Sequence, residues 1–292
     1  MKGNSVEAMQ NEINNLPDAN YENKKSALLE RMSEYTESDV ILAFSGGVDS
    51  SLLLKLLCQA AEKNQTRVYA VTIHTTLHPV YEIAIAKQVA HEAGAIHSVI
   101  EVDEMAEAGI EDNPVDRCYR CKKYLFTRLK KMAEEQSIDT MLEGTNEDDL
   151  HVYRPGIRAV RELGVQSPLA EVHMTKSEVR RMAGEYGISV AMRPSTPCLA
   201  TRFPYGTKLS YENMQKVEQA EDFLRKMDFY NVRLRVHDEI ARIEVDAMDM
   251  NRILTKKEEI VAYLKQLGYS YVTLDLEGFR SGSMDIHVEN EV

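Results

Sequence analysis

The sequence predicts an α/β protein, a doubly wound parallel sheet joined to a small C-terminal α+β domain. Three observations carry this expectation. Short apolar runs alternate with helix-length segments as far as Gly187. Two adjacent glycines, Gly46 and Gly47, join the first apolar run to the first long helical segment. Beyond the proline-rich stretch RPSTPCLATRFPYG (193–206) the pattern changes to alternating strands set between helices. Apolar strands that alternate with helices belong to a parallel sheet covered on both faces. Ligands of such sheets sit at the carboxyl ends of the strands.

Residues 1–37 are polar and read as a helical lead-in. Val40-Ile41-Leu42-Ala43 places a strand over 39–44, and the leucines from Leu52 to Leu57 place a helix over 50–63. RVYAVTIH (67–74) is a second strand, and the helix over 79–92 closes at Gly94, a residue that tolerates the left-handed turn after a helix. A strand over 96–102, a helix over 117–136 and a short strand over 140–144 follow. TKSE (175–178) is a capping box, in which Thr and Glu each satisfy a backbone N–H at the start of a helix. That helix ends near Gly187. In the C-terminal part Ser210 caps a helix to about Lys226, strands run over 232–237 and 240–245, a helix ends at Gly268, and a strand covers 271–276. The organisation expected is a lead-in (1–37), an α/β domain (38–204) and a small α+β domain (205–292).

The 292 residues are 43% hydrophobic and 28% charged, ordinary for a globular chain with a real core. The N-terminus lacks the apolar segment of a signal peptide, and no apolar run approaches the ~20 residues that span a bilayer. The expectation is a cytoplasmic protein with no membrane partner. A net charge of −12 weighs against a nucleic-acid partner, whose binding would rest on neutralising phosphates. The four cysteines, in a reducing compartment, point to metal or redox chemistry rather than to disulfides.

In FSGGVDSS (44–51) the glycines let backbone N–H groups approach a phosphate, and Ser45, Ser50 and Ser51 offer hydroxyl donors. The following helix start adds a favourable dipole. A Walker-type loop would supply a lysine, but here Asp49 stands instead. A carboxylate repels phosphate unless Mg²⁺ lies between them, which suits a bound pyrophosphate. The plain alternative is a turn that uses glycine for geometry alone. Thr145 and Asn146, in GTNEDD (144–149), follow another strand end and are expected in the same cleft.

Cys118 and Cys121 share a helix stripe with Leu125, Leu129 and Met132, at the end where the dipole favours thiolate. Arg117, Arg120, Lys122 and Lys123 surround them; the plain alternative is a pair of small core residues. With Cys198 they make a trio. Structural zinc takes four ligands and no histidine neighbours these, whereas three cysteines suit a 4Fe–4S cluster. Cys58, in LLLKLLC, reads as core. In NVRLRVH (231–237), Arg233 and Arg235 lie opposite the apolar face, either as solvated surface or as a grip on phosphate. Alanine at either is expected to change stability within about ±0.5 kcal/mol. Arg202 is a third candidate.

SGGVDS (45–50) resembles the PP-loop of ATP pyrophosphatases, which cleave ATP between its α and β phosphates and adenylate an oxygen. YRPG (153–156), PCLATRFPYG (197–206), ARIEV (241–245) and YVTLDLEGFRSGSM (271–284) together resemble the LarE family, from about residue 38 to the C-terminus. That family makes the nickel-pincer nucleotide of lactate racemase. The resemblance implies ATP and Mg²⁺ at the loop, with Asp49 catalytic, and a pyridinium-3,5-biscarboxylic acid mononucleotide whose carboxylates become thiocarboxylates. It implies that Cys198 handles sulfur taken from sulfide or a donor protein. It also implies that Arg202, Arg233, Arg235 and Glu221 surround phosphate or metal at a subunit interface of a homo-oligomer. One branch carries a cluster on three cysteines; another gives up the sulfur of a single cysteine. Cys118, Cys121 and Cys198 place this chain with the cluster branch. The rivals are a tRNA thiolase with the same loop and cluster, an amide-forming synthetase, and a nucleotide-binding module with structural zinc.

Overall fold

The computed structural model describes residues 18–285, so the first part of the expected lead-in, 1–17, lies outside it. Two compact units emerge, the larger of residues 18–109 and 116–195, the smaller of 110–115 and 196–285.

In the larger unit helix α1 (Asp18–Tyr35) precedes β1 (Val40–Ala43), α2 (Val48–Asn64), β2 (Val68–Thr75), α3 (Tyr81–Ala93) and β3 (Ile96–Val102). Next come α4 (Arg117–Glu135), β4 (Thr140–Leu142), α5 (Gly156–Glu162) and α6 (Lys176–Glu185). The four strands are parallel in the order β3-β2-β1-β4. The chain thus winds outward from β1 to β3 and returns on the other side of β1, which puts the switch point between β1 and β4.

Alternation along β1 sends Val40 and Leu42 into one core with Leu52, Leu53 and Leu56 of α2, Val89 of α3 and Val179 of α6. Ile41 points the other way, against Leu129 and Phe126 of α4, Met141 of β4 and Val160 of α5. Burial on both faces is why β1 reads as an unbroken apolar run. Gly94 closes α3 at φ +76°, and the Thr175–Glu178 capping box opens α6 with both reciprocal bonds made.

The short helices between 148 and 171 have no strong apolar period and were not expected. The first residue of α5, Gly156, explains itself by packing: a Cβ there would lie 2.8 Å from Lys122 Cδ and 3.2 Å from the Cys118 carbonyl oxygen. Any side chain here would have to displace the Lys122 stem and crowd the Cys118 carbonyl as this turn comes down onto the start of α4.

The smaller unit contains α7 (Tyr211–Lys226), β5 (Val232–His237), β6 (Ile240–Val245), α8 (Lys257–Gln266) and β7 (Tyr271–Leu274). Its sheet runs β5-β6-β7, antiparallel then parallel. Ser210 caps α7 by accepting the Asn213 N–H. Segment 110–115 belongs here because Asn113 Nδ2 donates to the Phe203 and Pro204 carbonyls, and the Gly206 and Leu209 amides donate to the Asn113 and Glu111 carbonyls. The stretch expected to be a linker is in part core: Leu199, Ala200, Arg202 and Phe203 are buried in this unit.

Candidate active site

β1 ends at Ala43, and the chain turns at once through Ser45-Gly46-Gly47 into α2. Gly46 has φ +74°, and a Cβ on it would meet Ala86 Cα of α3 at 3.0 Å, so both its conformation and its clearance require glycine. The loop is tied by small bonds. Ser50 Oγ accepts the Ser45 N–H (3.3 Å) and donates to the Gly47 carbonyl (3.2 Å), while the Gly47 N–H donates to Ser45 Oγ (3.3 Å). Ser51 Oγ is buried with no hydrogen-bond partner. A buried hydroxyl without a partner costs free energy, and this one, in the first turn of the helix that follows the glycine loop, is a donor without a protein acceptor among the described residues.

β4 stops at Leu142, earlier than expected, and releases Glu143–Asn146 into the switch-point crevice. Gly144 lies flat on the loop: a Cβ would stand 3.0 Å from Ser50 N and 3.2 Å from Asp49 Cβ. Glu143, buried, accepts the Thr145 N–H (2.9 Å) and the Ser167 hydroxyl (2.5 Å) and pairs with Lys122 at 3.5 Å. Asn146 Nδ2 donates to Asp49 Oδ1 at 3.1 Å. Asp49 Oδ2 accepts from Lys176 Nζ, the first residue of α6. The structure thus brings the loop together with Thr145 and Asn146, as the strand ends implied. Gly144→Ala is expected to push β4 off the loop and weaken ATP binding at least tenfold, measured by titration calorimetry, while Gly184→Ala, in a helix with open space around it, leaves binding unchanged.

Cys118 and Cys121 occupy the first turn of α4, partly exposed. Cys121 Sγ donates to Glu104 Oε2 at 3.0 Å; Glu104 is fully buried and also accepts the Thr75 hydroxyl at 2.6 Å. Burial pushes the Cys58 thiol up to about 11. None of the four cysteines is in a disulfide. Two thiols one turn apart at a helix start have the donor chemistry of thiolate ligation. Among the described residues no three His, Cys, Asp or Glu side chains are grouped to hold a metal ion.

A PP-loop domain model matches residues 18–153, which include the whole loop and Asn146. An uncharacterised protein of Synechocystis is 37% identical over 84% of this chain and 91% of its own length. Another, from Methanocaldococcus jannaschii, is 33% identical over 85% of this chain and 93% of its own length. The pyridinium-3,5-bisthiocarboxylic acid mononucleotide synthase of Lactiplantibacillus plantarum, the LarE protein, is 35% identical over 90% of this chain and 94% of its own length. The chain belongs to the LarE family. Such a chain is an ATP-dependent sulfur transferase. Among the described residues no helix is long and apolar enough to cross a membrane.

In this LarE-family chain the arginines do not form a solvated face, one of the two readings of β5. Every residue of β5 from Val232 to Val236 is buried. Arg202 is 0% exposed and forks onto both oxygens of Glu221 (2.8 and 2.9 Å), with its third nitrogen on the Pro197 and Cys198 carbonyls. Arg235 forks onto Glu244 Oε2 (3.0 and 2.8 Å) and reaches the Thr201 carbonyl. Arg233 lies over the Phe279 ring at 5.1 Å. Burial lowers it to about 10, reinforced by the charges of Arg202, Arg235 and Arg225 and opposed by Glu221. These are interior ion pairs, so alanine at Arg235 is not a neutral surface change; the alternation was right, but the second face is covered by α7 and by the turn at Leu199–Arg202.

Sequence reasoning missed Glu104, Glu143 and Lys176 around the larger unit's site, and set Lys122 beside the cysteines without its partner Glu143. For Lys176 a signal existed. A cation in the first turn of a helix opposes the dipole, so it calls for a carboxylate partner elsewhere in the chain.

Proposed function

We propose that the chain adenylates a carboxylate of pyridinium-3,5-biscarboxylic acid mononucleotide and replaces its activated oxygen with sulfur. What supports this is Asp49, a carboxylate at the centre of a phosphate-binding loop at the sheet's switch point, in a chain akin over nine-tenths of its length to a synthase of the bisthiocarboxylate. A carboxylate oxygen of the substrate bonds to the α-phosphorus of ATP, and the pyrophosphate leaves with the electron pair of the broken P–O bond. A sulfur nucleophile then attacks the acyl carbon and AMP departs. Ser45, Gly46, Gly47, Ser50, Ser51, Thr145 and Asn146 bind the phosphates, and Asp49 is the ligand for Mg²⁺. Arg233, set among other guanidinium groups, is the arginine suited to the substrate's phosphate, while Arg202, Arg235 and Glu221 hold the surrounding structure. The chain works in the cytoplasm as a homo-oligomer, with sulfide or a donor protein as sulfur source.

The thiolates of Cys118, Cys121 and Cys198 would hold a 4Fe–4S cluster, whose chemistry when bound is to carry and donate sulfide. After anaerobic purification, alanine at any of the three is expected to lose iron, acid-labile sulfide and activity together, and Cys58→Ala to keep all three. A single turnover that leaves Cys198 lighter by one H₂S would replace the cluster with a sacrificial cysteine. The adenylation is tested by the products of ATP in the presence of substrate: AMP and pyrophosphate are expected, and ADP with phosphate would overturn the reading.

A further inference from the structure

The loop at Ser45–Ser51 has no lysine of its own, yet an ammonium stands on it. Lys176 lies 127 residues beyond Asp49 and pairs with Asp49 Oδ2. Its position is built. The Lys176 N–H donates to Asp148 Oδ2 at 2.8 Å, and the Glu147 N–H donates to the Met174 carbonyl at 3.0 Å, so 144–149 and the start of α6 are fastened together. Glu178 closes the capping box with Thr175 and is itself paired with Lys24 at 2.9 Å. The amino group is part-exposed beside Asp49, Asn146 and the loop, and a lysine stem is long enough to swing between neighbouring anions.

We infer that Lys176 is the cation of the pyrophosphate site. It holds Asp49 until Mg²⁺ takes that carboxylate, and then bonds the β- or γ-phosphate oxygens of ATP. The inference rests on the adenylation reading and adds the group that meets the leaving charge. When the carboxylate oxygen bonds to the α-phosphorus and the bridging P–O bond breaks, the electron pair goes to pyrophosphate. No proton need move, and the new negative charge forms where an ammonium can reach it. Electrostatic groups aimed at developing charge are among the strongest contributors to catalysis. An ammonium placed 127 residues away also explains how a loop centred on an aspartate can grip a polyphosphate.

Lys176→Met, Lys176→Arg and the wild type are to be compared by calorimetric titration with pyrophosphate, AMP and ATP, with and without Mg²⁺. For Lys176→Met, pyrophosphate in the presence of Mg²⁺ is expected to bind about ten- to hundredfold more weakly, the range for losing one charge-assisted hydrogen bond. AMP binding should change less than about twofold. Half-maximal ATP binding should need several-fold less Mg²⁺, because the competitor for Asp49 is gone, and Lys176→Arg should recover most of the pyrophosphate affinity. A loss shared equally by AMP would mean that Lys176 only supports the fold and would overturn the inference. So would pyrophosphate binding equal to wild type in Lys176→Met. A wild type that binds no pyrophosphate at all would overturn the adenylation reading together with this one.

Discussion

Asp49→Ala is expected to stop pyrophosphate release, lowering the rate by about two to three orders of magnitude or more, with the fold intact. Removing a single electrostatic group aimed at a transition state costs roughly 10²–10³. Asp49 carries more than that here, because it is both the proposed seat of Mg²⁺ and the anchor of Asn146 and Lys176. The stability cost is small by comparison. An acidic residue in the first turn of a helix contributes about 0.3–1 kcal/mol, and a part-exposed ion pair about 0–1 kcal/mol. Asp49→Asn keeps the shape and the bond from Asn146 but loses the charge, so it should be nearly as inactive. Pyrophosphate release at a tenth of the wild-type rate or better in Asp49→Asn would remove the metal-bearing role from this residue.

Arg202→Met is expected to destabilise the smaller unit by about 3–5 kcal/mol, the range for breaking one side of a buried ion pair. The arginine is fully buried, and its loss leaves Glu221 charged in the interior without its forked partner, beside the Leu234 N–H, the part-exposed Arg225 and the charge of Arg233. The same substitution releases the Pro197 and Cys198 carbonyls. Urea unfolding should show a lower midpoint, and the double replacement of Arg202 and Glu221 by apolar residues should recover much of the loss. Acid behaviour gives an independent reading. Burial by itself would raise the Glu221 carboxyl, but the charge and hydrogen bonds of Arg202, then Arg233 and the Leu234 amide, outweigh it and hold it at about 2. A depressed carboxyl stabilises fully above its unfolded value of about 4.3, and that stabilisation is lost as pH falls through about 2. The wild type should therefore lose this contribution progressively between about pH 4.3 and 2, keeping only part of it at pH 3, and Arg202→Met should show a smaller acid-dependent portion. An unchanged urea midpoint would mean that the pair contributes nothing net.

The framework of both units was legible because it rests on periodicity. Four apolar runs became four parallel strands, and β3, β5 and β6 begin and end where the alternation does. The capping box was equally legible, since its two partners are three residues apart. What escaped were pairings between distant residues. Lys176 meets Asp49, and Glu104 meets Cys121, across turns that no local pattern encodes. The buried arginines lie between these cases. The hairpin from β5 to β6 turns through Asp238 and Glu239 alone, which forces Arg233 opposite Glu244 and Arg235 opposite Arg242. Four charged residues on one face of a hairpin already suggested an internal ion-pair network. β5 alone, without its partner strand, left that face open between solvated surface and a grip on phosphate.

Segment 110–115 shows that, among the described residues, the smaller unit is assembled from two stretches of chain separated by eighty residues of the larger one. It is therefore not a cassette. A gene fragment beginning at Thr196 would lack the Asn113 amide that ties down the Phe203 and Pro204 carbonyls and the backbone acceptors of Gly206 and Leu209. Recombination at the proline-rich junction would cut one of the three crossings among the described residues and leave the other two, so the two units are expected to be inherited as a whole. The first strand-free stretch after β3 has a double allegiance: its residues complete one unit, and its next residues, from Asp116, open the helix that bears Cys118 and Cys121 in the other.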